Sequence, residues 1–305
     1  MKKVLALVLS LLLVLGAVSA VAEAEFTVVV NLKTLSSEYW QTVKSGIDEA
    51  AAELGMTIDV QGPAAETEIA EQVQQLETML AAKPDAIIIA PLDGDAVIGA
   101  IQASGYEGIV IFCDTDANYE KKVSFVGTSN QIAAHSGGVY GIGLVGAENV
   151  KALIIYGQEG DNTSNLRKAG YEQALAEAGL APVAMLSGNN TTDGATKVME
   201  DQLVANPEIN LVLSHNDDTA IGALNAVKAA GKEGVTILGF DGNQSAIELI
   251  AAGELAGTVA QQPKLMGYLS VMTAMKALRG EEVEANVVVD TVVINSENFA
   301  DYLQK

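Results

Sequence analysis

One pattern is written twice in this chain. PDAIIIAPLDGDAVIGAI, beginning at Pro84, and PEINLVLSHNDDTAIGAL, beginning at Pro207, are both 18 residues long and align without a gap at an offset of 123 positions. SGIDEAAAELG from Ser45 and AGYEQALAEAG from Ala169 align at an offset of 124, and VIFCD ending at Asp114 aligns with ILGFD ending at Asp241 at 127. Registered matches at a nearly constant offset mean that the two halves fold alike. Within each half, apolar runs of strand length alternate with helical patterns. FTVVVN, MTIDV, DAIIIA, GIVIFC and KVSFVG come first, then KALIIY, APVAML, INLVLS, VTILGF and AGTVAQ. Near-continuous β-branched runs between amphipathic helices signal parallel strands covered on both faces. The expected fold is α/β, two similar doubly wound, Rossmann-like parallel-sheet domains. A length of 305 residues suits two domains of roughly 150 each.

In open parallel sheets, ligands bind beyond the carboxyl ends of the strands. Two such sheets with facing strand ends make a cleft between domains. The residues at those ends are polar: Asn31 with Lys33, Asp114 with Thr115, Asn216 with Asp217, then Asp241 and Gln261. Any one of them reads equally well as a loop polar. Asp114 and Asp241 occupy equivalent places in the repeat, which favours the set as a site.

The amino terminus adds a compartment. MKKVLALVLSLLLVLGAVSA opens with Lys2 and Lys3, runs uncharged from Val4 and reaches small residues around Ser19 to Ala24. That is the three-part pattern of a cleavable secretory signal, expected over residues 1–24. The run is short for a membrane anchor. Cleavage after Ala20, Ala22 or Ala24 fits, and no cysteine stands at the junction for lipid attachment. The mature chain is expected in a periplasm or outside the cell. Cys113 is the only cysteine, so no intramolecular disulfide forms, and its apolar setting IVIFCD reads as an inert buried thiol. Formal net charge is −22, a field that repels phosphate backbones and anionic lipid, so nucleic acid and membrane surfaces are not expected partners.

KTLSSEYW at the first strand–helix turn, with SHNDDTAIGAL, LGFDG and TVAQQP, resembles the type I periplasmic sugar-binding proteins, closest to their ribose- and allose-binding branch. The likeness runs in order along essentially the whole mature chain. It implies two α/β lobes joined by three hinge crossings, near Thr128–Ser129, Gln261–Gln262 and Asp290–Thr291. The lobes would then be residues 25–128 with 262–290, and 129–261 with 291–305. The resemblance also implies a monomeric receptor that closes over a monosaccharide or polyol and presents it to the permease of an ABC transporter or to a chemoreceptor. No cofactor and no metal are implied.

Carried over position by position, Tyr39 and Trp40 match the aromatic pair that stacks on the sugar, and Lys33 matches a lysine of the allose-type motif. Ser37 stands where asparagine is frequent. Asp114 matches the carboxylate ending the fourth strand, and Asn216, Asp241 and Gln261 match pocket positions of the second lobe. Thr115 replaces the usual arginine or glutamate after that aspartate, Asn165 stands where an arginine commonly donates, Ala90 replaces an occasional asparagine, and Asn189 or Asn190 lies where an aromatic is common. These departures keep the class of ligand and release its identity as ribose or allose.

The residue types suit that class. A sugar has apolar C–H faces and a rim of hydroxyls, and an aromatic side chain buries about 150–250 Å² at low entropy cost. Carboxylates accept from hydroxyls, lysine donates, and amides do both. Each buried group left unpaired costs about 1–3 kcal/mol, which is how such a site discriminates. The plainer readings are core packing for Trp40, a helix N-cap for Asp114 or Asp241, and a surface or lobe-packing role for Arg167, with Asn165 preferred as the ligand donor. GIGLVG, residues 141–146, follows no strand and reads as helix packing. His135 reads as structural or exposed, and His215 abuts Asn216 near the cleft rim. The sequons NTS and NNTT carry little weight beside a bacterial-style export signal. Rival functions are a sugar-processing enzyme working through paired cleft carboxylates, binding of a non-sugar polar solute, and a sugar-responsive regulator, which would need a basic DNA-reading headpiece. No phosphate-binding loop, nucleophile elbow or HExxH motif is present.

Overall fold

The computed structural model describes residues 26–303, and the expected signal segment lies outside them. The first strands and helices are β1 (Val28–Asn31), α1 (Glu38–Leu54), β2 (Asp59–Gln61), α2 (Ile69–Ala81), β3 (Ala86–Ile89), α3 (Gly94–Ser104), β4 (Ile109–Cys113) and β5 (Ser124–Gly127). A second series follows: α4 (Asn130–Val145), β6 (Ala152–Tyr156), α5 (Asn162–Glu177), β7 (Ala184–Ser187), α6 (Thr192–Ala205), β8 (Leu211–Ser214), α7 (Asp217–Ala229), β9 (Thr236–Asp241), α8 (Gln244–Ala251) and β10 (Gly257–Ala260). The chain ends with α9 (Pro263–Leu278), β11 (Asn286–Val288) and β12 (Val292–Asn295).

Two six-stranded sheets result, in the orders β11-β5-β4-β3-β1-β2 and β12-β10-β9-β8-β6-β7. The sequence repeat is therefore a repeat of topology, with β4 and β9, each ending in the repeated aspartate segment, at the same place in the two sheets. All pairings are parallel except β10 with β12. The chain passes from the first sheet to the second after Gly127, returns after Ala260, and passes over again between Val288 and Val292.

Strands buried on both faces need two cores per sheet. In the first lobe Val28, Val30 and Ile111 pack on one side with Val43, Ile47 and Met266, while Ile87, Ile89 and Phe112 pack on the other with Leu76 and Ile101. The second lobe repeats this, with Leu153 and Ile155 on one side and Ile154, Leu213 and Phe240 on the other. Alternate residues of one strand feed opposite cores because side chains alternate across a sheet. Among the described residues no helix is long and apolar enough to cross a membrane.

The helix following the first strand of each sheet packs against the helix that begins just after a crossing: α1 against α9, and α5 against α4. At both contacts the repeat supplies a glycine, Gly46 and Gly170. A β-carbon on Gly46 overlaps the Lys264 carbonyl, and one on Gly170 overlaps the Gln131 carbonyl. The helices touch backbone to backbone, so no side-chain rotation relieves a larger residue. Gly46→Ala and Gly170→Ala are each expected to lower unfolding free energy by about 3 kcal/mol. Gly99→Ala, on the exposed face of α3 with nothing within 4 Å of the added carbon, is expected to gain up to about 1 kcal/mol. Denaturant midpoints at an unchanged m-value check all three.

Candidate functional site

The carboxyl ends of the two sheets face each other, and the polar residues at those ends meet there. Asp114 follows β4 and Asp241 ends β9; both hold positive φ, 63° and 120°. Non-glycine residues rarely adopt that backbone, and such strain is kept where surrounding contacts enforce it. Neither aspartate caps a helix: Asn243 stands at the N-cap of α8. Both side chains are nearly sealed from solvent and both line one central cavity.

Asp114 accepts the Tyr39 hydroxyl at 2.5 Å and the Thr115 hydroxyl at 2.8 Å. Burial, then the charges of Asp114 and Asp241, push the Tyr39 phenol well above its ordinary pKa, so it stays a donor. Trp40 stands edge-on to Tyr39, ring centres 5.1 Å apart, and its indole N–H donates to Glu66 at 2.7 Å. It packs with Val43 and Ile47 and also lines the cavity, so its core and cleft placements coexist. Ser37 is the N-cap of α1 and lines the cavity too.

From the second lobe, Asp241 accepts Gln261 Nε2 at 2.7 Å and Arg167 Nη1 at 3.3 Å. Burial raises its carboxyl well above the carboxylate range, against the pull of Arg167. Gln261 also accepts the Thr128 hydroxyl at 2.8 Å, tying the first two crossings together at the cleft floor. Asp217 lies behind, accepting Thr258 Oγ1 and the Asn243 amide, and fixes the turn that carries Asp241; burial pushes its carboxyl up to about 7. Asn216 forms a capping box with Thr219 at the start of α7 and lines the cavity.

One expectation is corrected. Asn165 is exposed, on the outer face of α5, whereas Arg167 is 3% exposed and lines the cavity. Residues two apart on a helix point nearly opposite ways. The Arg167 guanidinium lies 3.7 Å over the Phe240 ring and donates to Asn130 Oδ1 and the His215 carbonyl, each at 2.8 Å. The repeat carried the signal: at the offset of 124, Asn165 matches exposed Gln41 and Arg167 matches buried Val43.

The lobes are joined across the cleft. Lys33 Nζ donates to Asp161, the N-cap of α5, at 2.7 Å with both side chains almost fully buried. Burial lowers the Lys33 pKa, but Asp161, Glu66 and Asp114 outweigh it, so the ammonium is held above its usual value. Thr115 meets Thr163 at 2.9 Å, and Asn190 Nδ2 donates to Glu66 at 2.7 Å. Glu66 and Asn190 belong to equivalent loops, between β2 and α2 and between β7 and α6. With these contacts made, about 20 Å³ remains at the centre, roughly the space of one water.

Glu66, Asp161, Thr163 and Asp218 join the site without a signal in the sequence, and His215, expected near the cleft rim, lies in it. Glu66 follows a three-residue edge strand that gives little periodic signal. His215 lines the cavity; burial, Arg167 and Lys33 hold its imidazole well below the ordinary pKa, and its Nδ1 is buried without a hydrogen-bond partner among the described residues. Cys113 is buried, which pushes its thiol up to about 12. His135 pairs with Glu177 on the surface, and GIGLVG lies at the end of α4. A separate groove of about 750 Å³ opens at the amino ends of β3 and β4 and includes none of the strand-end polar residues.

The sequence pattern of the periplasmic binding protein domain matches residues 28–282. Over 296 residues the chain is 32% identical to the ribose import binding protein RbsB of Haemophilus influenzae, across 97% of this chain and 100% of that protein. The structure of an ABC transporter periplasmic solute binding protein from Actinobacillus succinogenes, with bound D-allose, is similar at TM-score 0.83 and 30% identity, covering 90% of this chain and 99% of that one. A carbohydrate transporter solute binding protein from Agrobacterium radiobacter, in complex with D-arabinose, is similar at TM-score 0.84 and 28% identity, covering 92% and 97%. With the family pattern spanning both lobes, and relatives matched over nearly their full length, the chain belongs to the periplasmic binding protein domain family.

Proposed function

We propose that this chain is an extracytoplasmic solute-binding protein that captures a monosaccharide or related polyol between its lobes and delivers it to an ABC transporter. The observation that carries the reading is the meeting of Asp114 and Asp241, one from each lobe, in a single cavity with Tyr39, Trp40, Lys33 and Arg167. The carboxylates accept from sugar hydroxyls, the cations donate to them, and Trp40 and Tyr39 cover a C–H face. Thr115, Asn190 and Gln261 hold the first-contact residues and the crossings in place. Arg167 takes the donor role that Asn165 is too exposed to fill. Residues 1–24 act as the export signal, the lobes are 25–128 with 262–290 and 129–261 with 291–305, and the receptor works as a monomer without turnover.

Capture is a shift between open and closed states. A guest that contacts both lobes binds only the closed one, and stabilises it by that difference. The central space is too small for a sugar ring beside the present side-chain contacts, so entry requires the lobes to part. Lys33–Asp161, Thr115–Thr163 and Glu66–Asn190 are contacts the lobes make with each other. They lower the cost of closing before any guest contributes.

A thermal-shift screen over pentoses, hexoses, polyols and inositols tests the reading. At a hundredfold excess over Kd a true ligand adds about 2.7 kcal/mol, a rise in Tm of roughly 5 °C. Asp114→Ala and Asp241→Ala are expected to lose that rise while remaining folded, and Trp40 fluorescence is expected to change at saturation. Full-strength binding by both variants removes these aspartates from the site. Arg167→Ala leaves Asp241 buried with only Gln261 as donor and is expected to cost about 3 kcal/mol of stability. Asn165→Ala is expected to stay within about 0.5 kcal/mol. Denaturant titration of the two variants separates them.

A further inference from the structure

The cavity is lined by four carboxylates, Glu66, Asp114, Asp218 and Asp241, and by two cations, Lys33 and Arg167. Both cations are already engaged by acids, Lys33 by Asp161 at 2.7 Å and Arg167 by Asp241 at 3.3 Å. Among the described residues Glu66, Asp114 and Asp218 have no ion-pair partner. Protein donors reach two of them: Tyr39 and Thr115 at Asp114, Trp40 and Asn190 at Glu66. Those donors supply hydrogen bonds but no charge.

His215 adds an independent sign of the same kind. It lines this cavity at 4% exposure, and its Nδ1 is buried with no hydrogen-bond partner among the described residues. The imidazole is neutral between Arg167 and Lys33, so it offers a guest one acceptor and one donor. The guest therefore meets hydroxyl-reading groups in His215, Arg167 and Lys33 and acceptors in Glu66 and Asp114, where the nearby cation, Lys33, faces Glu66, Asp114 and Asp161 together. Buried carboxylates are costly unless a cation answers them. A neutral sugar brings only hydroxyls to these acceptors.

We propose that the guest of this cleft is a cationic carbohydrate, an amino sugar or amino polyol whose ammonium lies against Glu66 and Asp114 while its hydroxyls meet His215, Arg167 and Lys33. An ammonium brings three donors, no acceptor and one positive charge, where Lys33 is a single cation set against the three acids Asp161, Glu66 and Asp114. The proposal rests on the sugar-capture reading and narrows its substrate class.

The test compares matched pairs by calorimetry on the purified protein: glucosamine with glucose, galactosamine with galactose, mannosamine with mannose, 1-amino-1-deoxysorbitol with sorbitol, and an inosamine with myo-inositol. In the pair containing the tightest ligand, the aminated member is expected to bind at least about tenfold tighter, the scale of one charge-assisted hydrogen bond. Glu66→Gln and Asp114→Asn, checked for folding by circular dichroism, are expected to shrink that ratio, because each removes charge where the ammonium lies. A neutral parent that binds more tightly than its amine in the best pair overturns the proposal and leaves sugar capture standing. Absence of binding by every member of every pair overturns the proposal and leaves sugar capture standing where a pentose binds in the thermal-shift screen; absence of binding in that screen as well overturns sugar capture itself.

Discussion

A carboxylate taken out of water has to be answered by donors or by a cation, and this protein takes out several at one place. Asp114 and Asp241 end equivalent strands, one in each lobe, with backbones bent into the left-handed region. Each is answered largely from within its own lobe, Asp114 by Tyr39 and Thr115, Asp241 by Gln261 and Arg167. Lys33 and Asp161, by contrast, answer each other only when the lobes are together. The first arrangement needs no contact between the lobes. The second makes closure itself a source of satisfied charge, so a guest does not supply the whole of the closing free energy.

Such a clamp works only if each lobe moves as one piece. The backbone contacts at Gly46 and Gly170 lock the helix after each sheet's first strand onto the helix that begins just past a crossing. At the connecting segments, Gln261 links Thr128 to Asp241. On the proposed capture reading, this hydrogen bond couples the angle between lobes to the state of the site. That coupling needs no contact longer than a side chain.

The two-sheet α/β fold was legible because strand-length apolar runs and a fixed offset are long, redundant signals. Edge strands were less legible: β11 and β12, three and four residues long, carry exposed positions and stand outside the registered repeat. At the site, strand-end polar residues such as Asp114 and Asn216 could be located because the strands themselves could. Glu66 could not, since it follows the short edge strand β2, and a loop has no period to read. The choice of Asn165 over Arg167 went wrong for a different reason. Residue type alone does not separate the two, whereas the phase of α1, with Gln41 outside and Val43 inside, assigns the faces of α5.

That case points to where function enters a duplicated chain. Positions at which the two copies agree in role carry the fold: Asp93 and Asn216 both cap the helix after the third strand of their lobe, and Gly46 and Gly170 both seat a helix. The aspartates Asp114 and Asp241 are shared by both copies, and positions at which the copies diverge add to the cavity they line. Leu92 is buried core in the first lobe, while its counterpart His215 lines the cavity; Val43 is core, while its counterpart Arg167 reaches Asp241. Apolar packing on one jaw has been exchanged for hydrogen-bonding capacity on the other. A guest then meets an aromatic face made by Tyr39 and Trp40 from one lobe and a polar face made by Arg167, His215 and Asn216 from the other. Two identical jaws would present one kind of surface twice. The divergence within the repeat is what lets a symmetric scaffold grip a molecule that has both C–H faces and a polar rim.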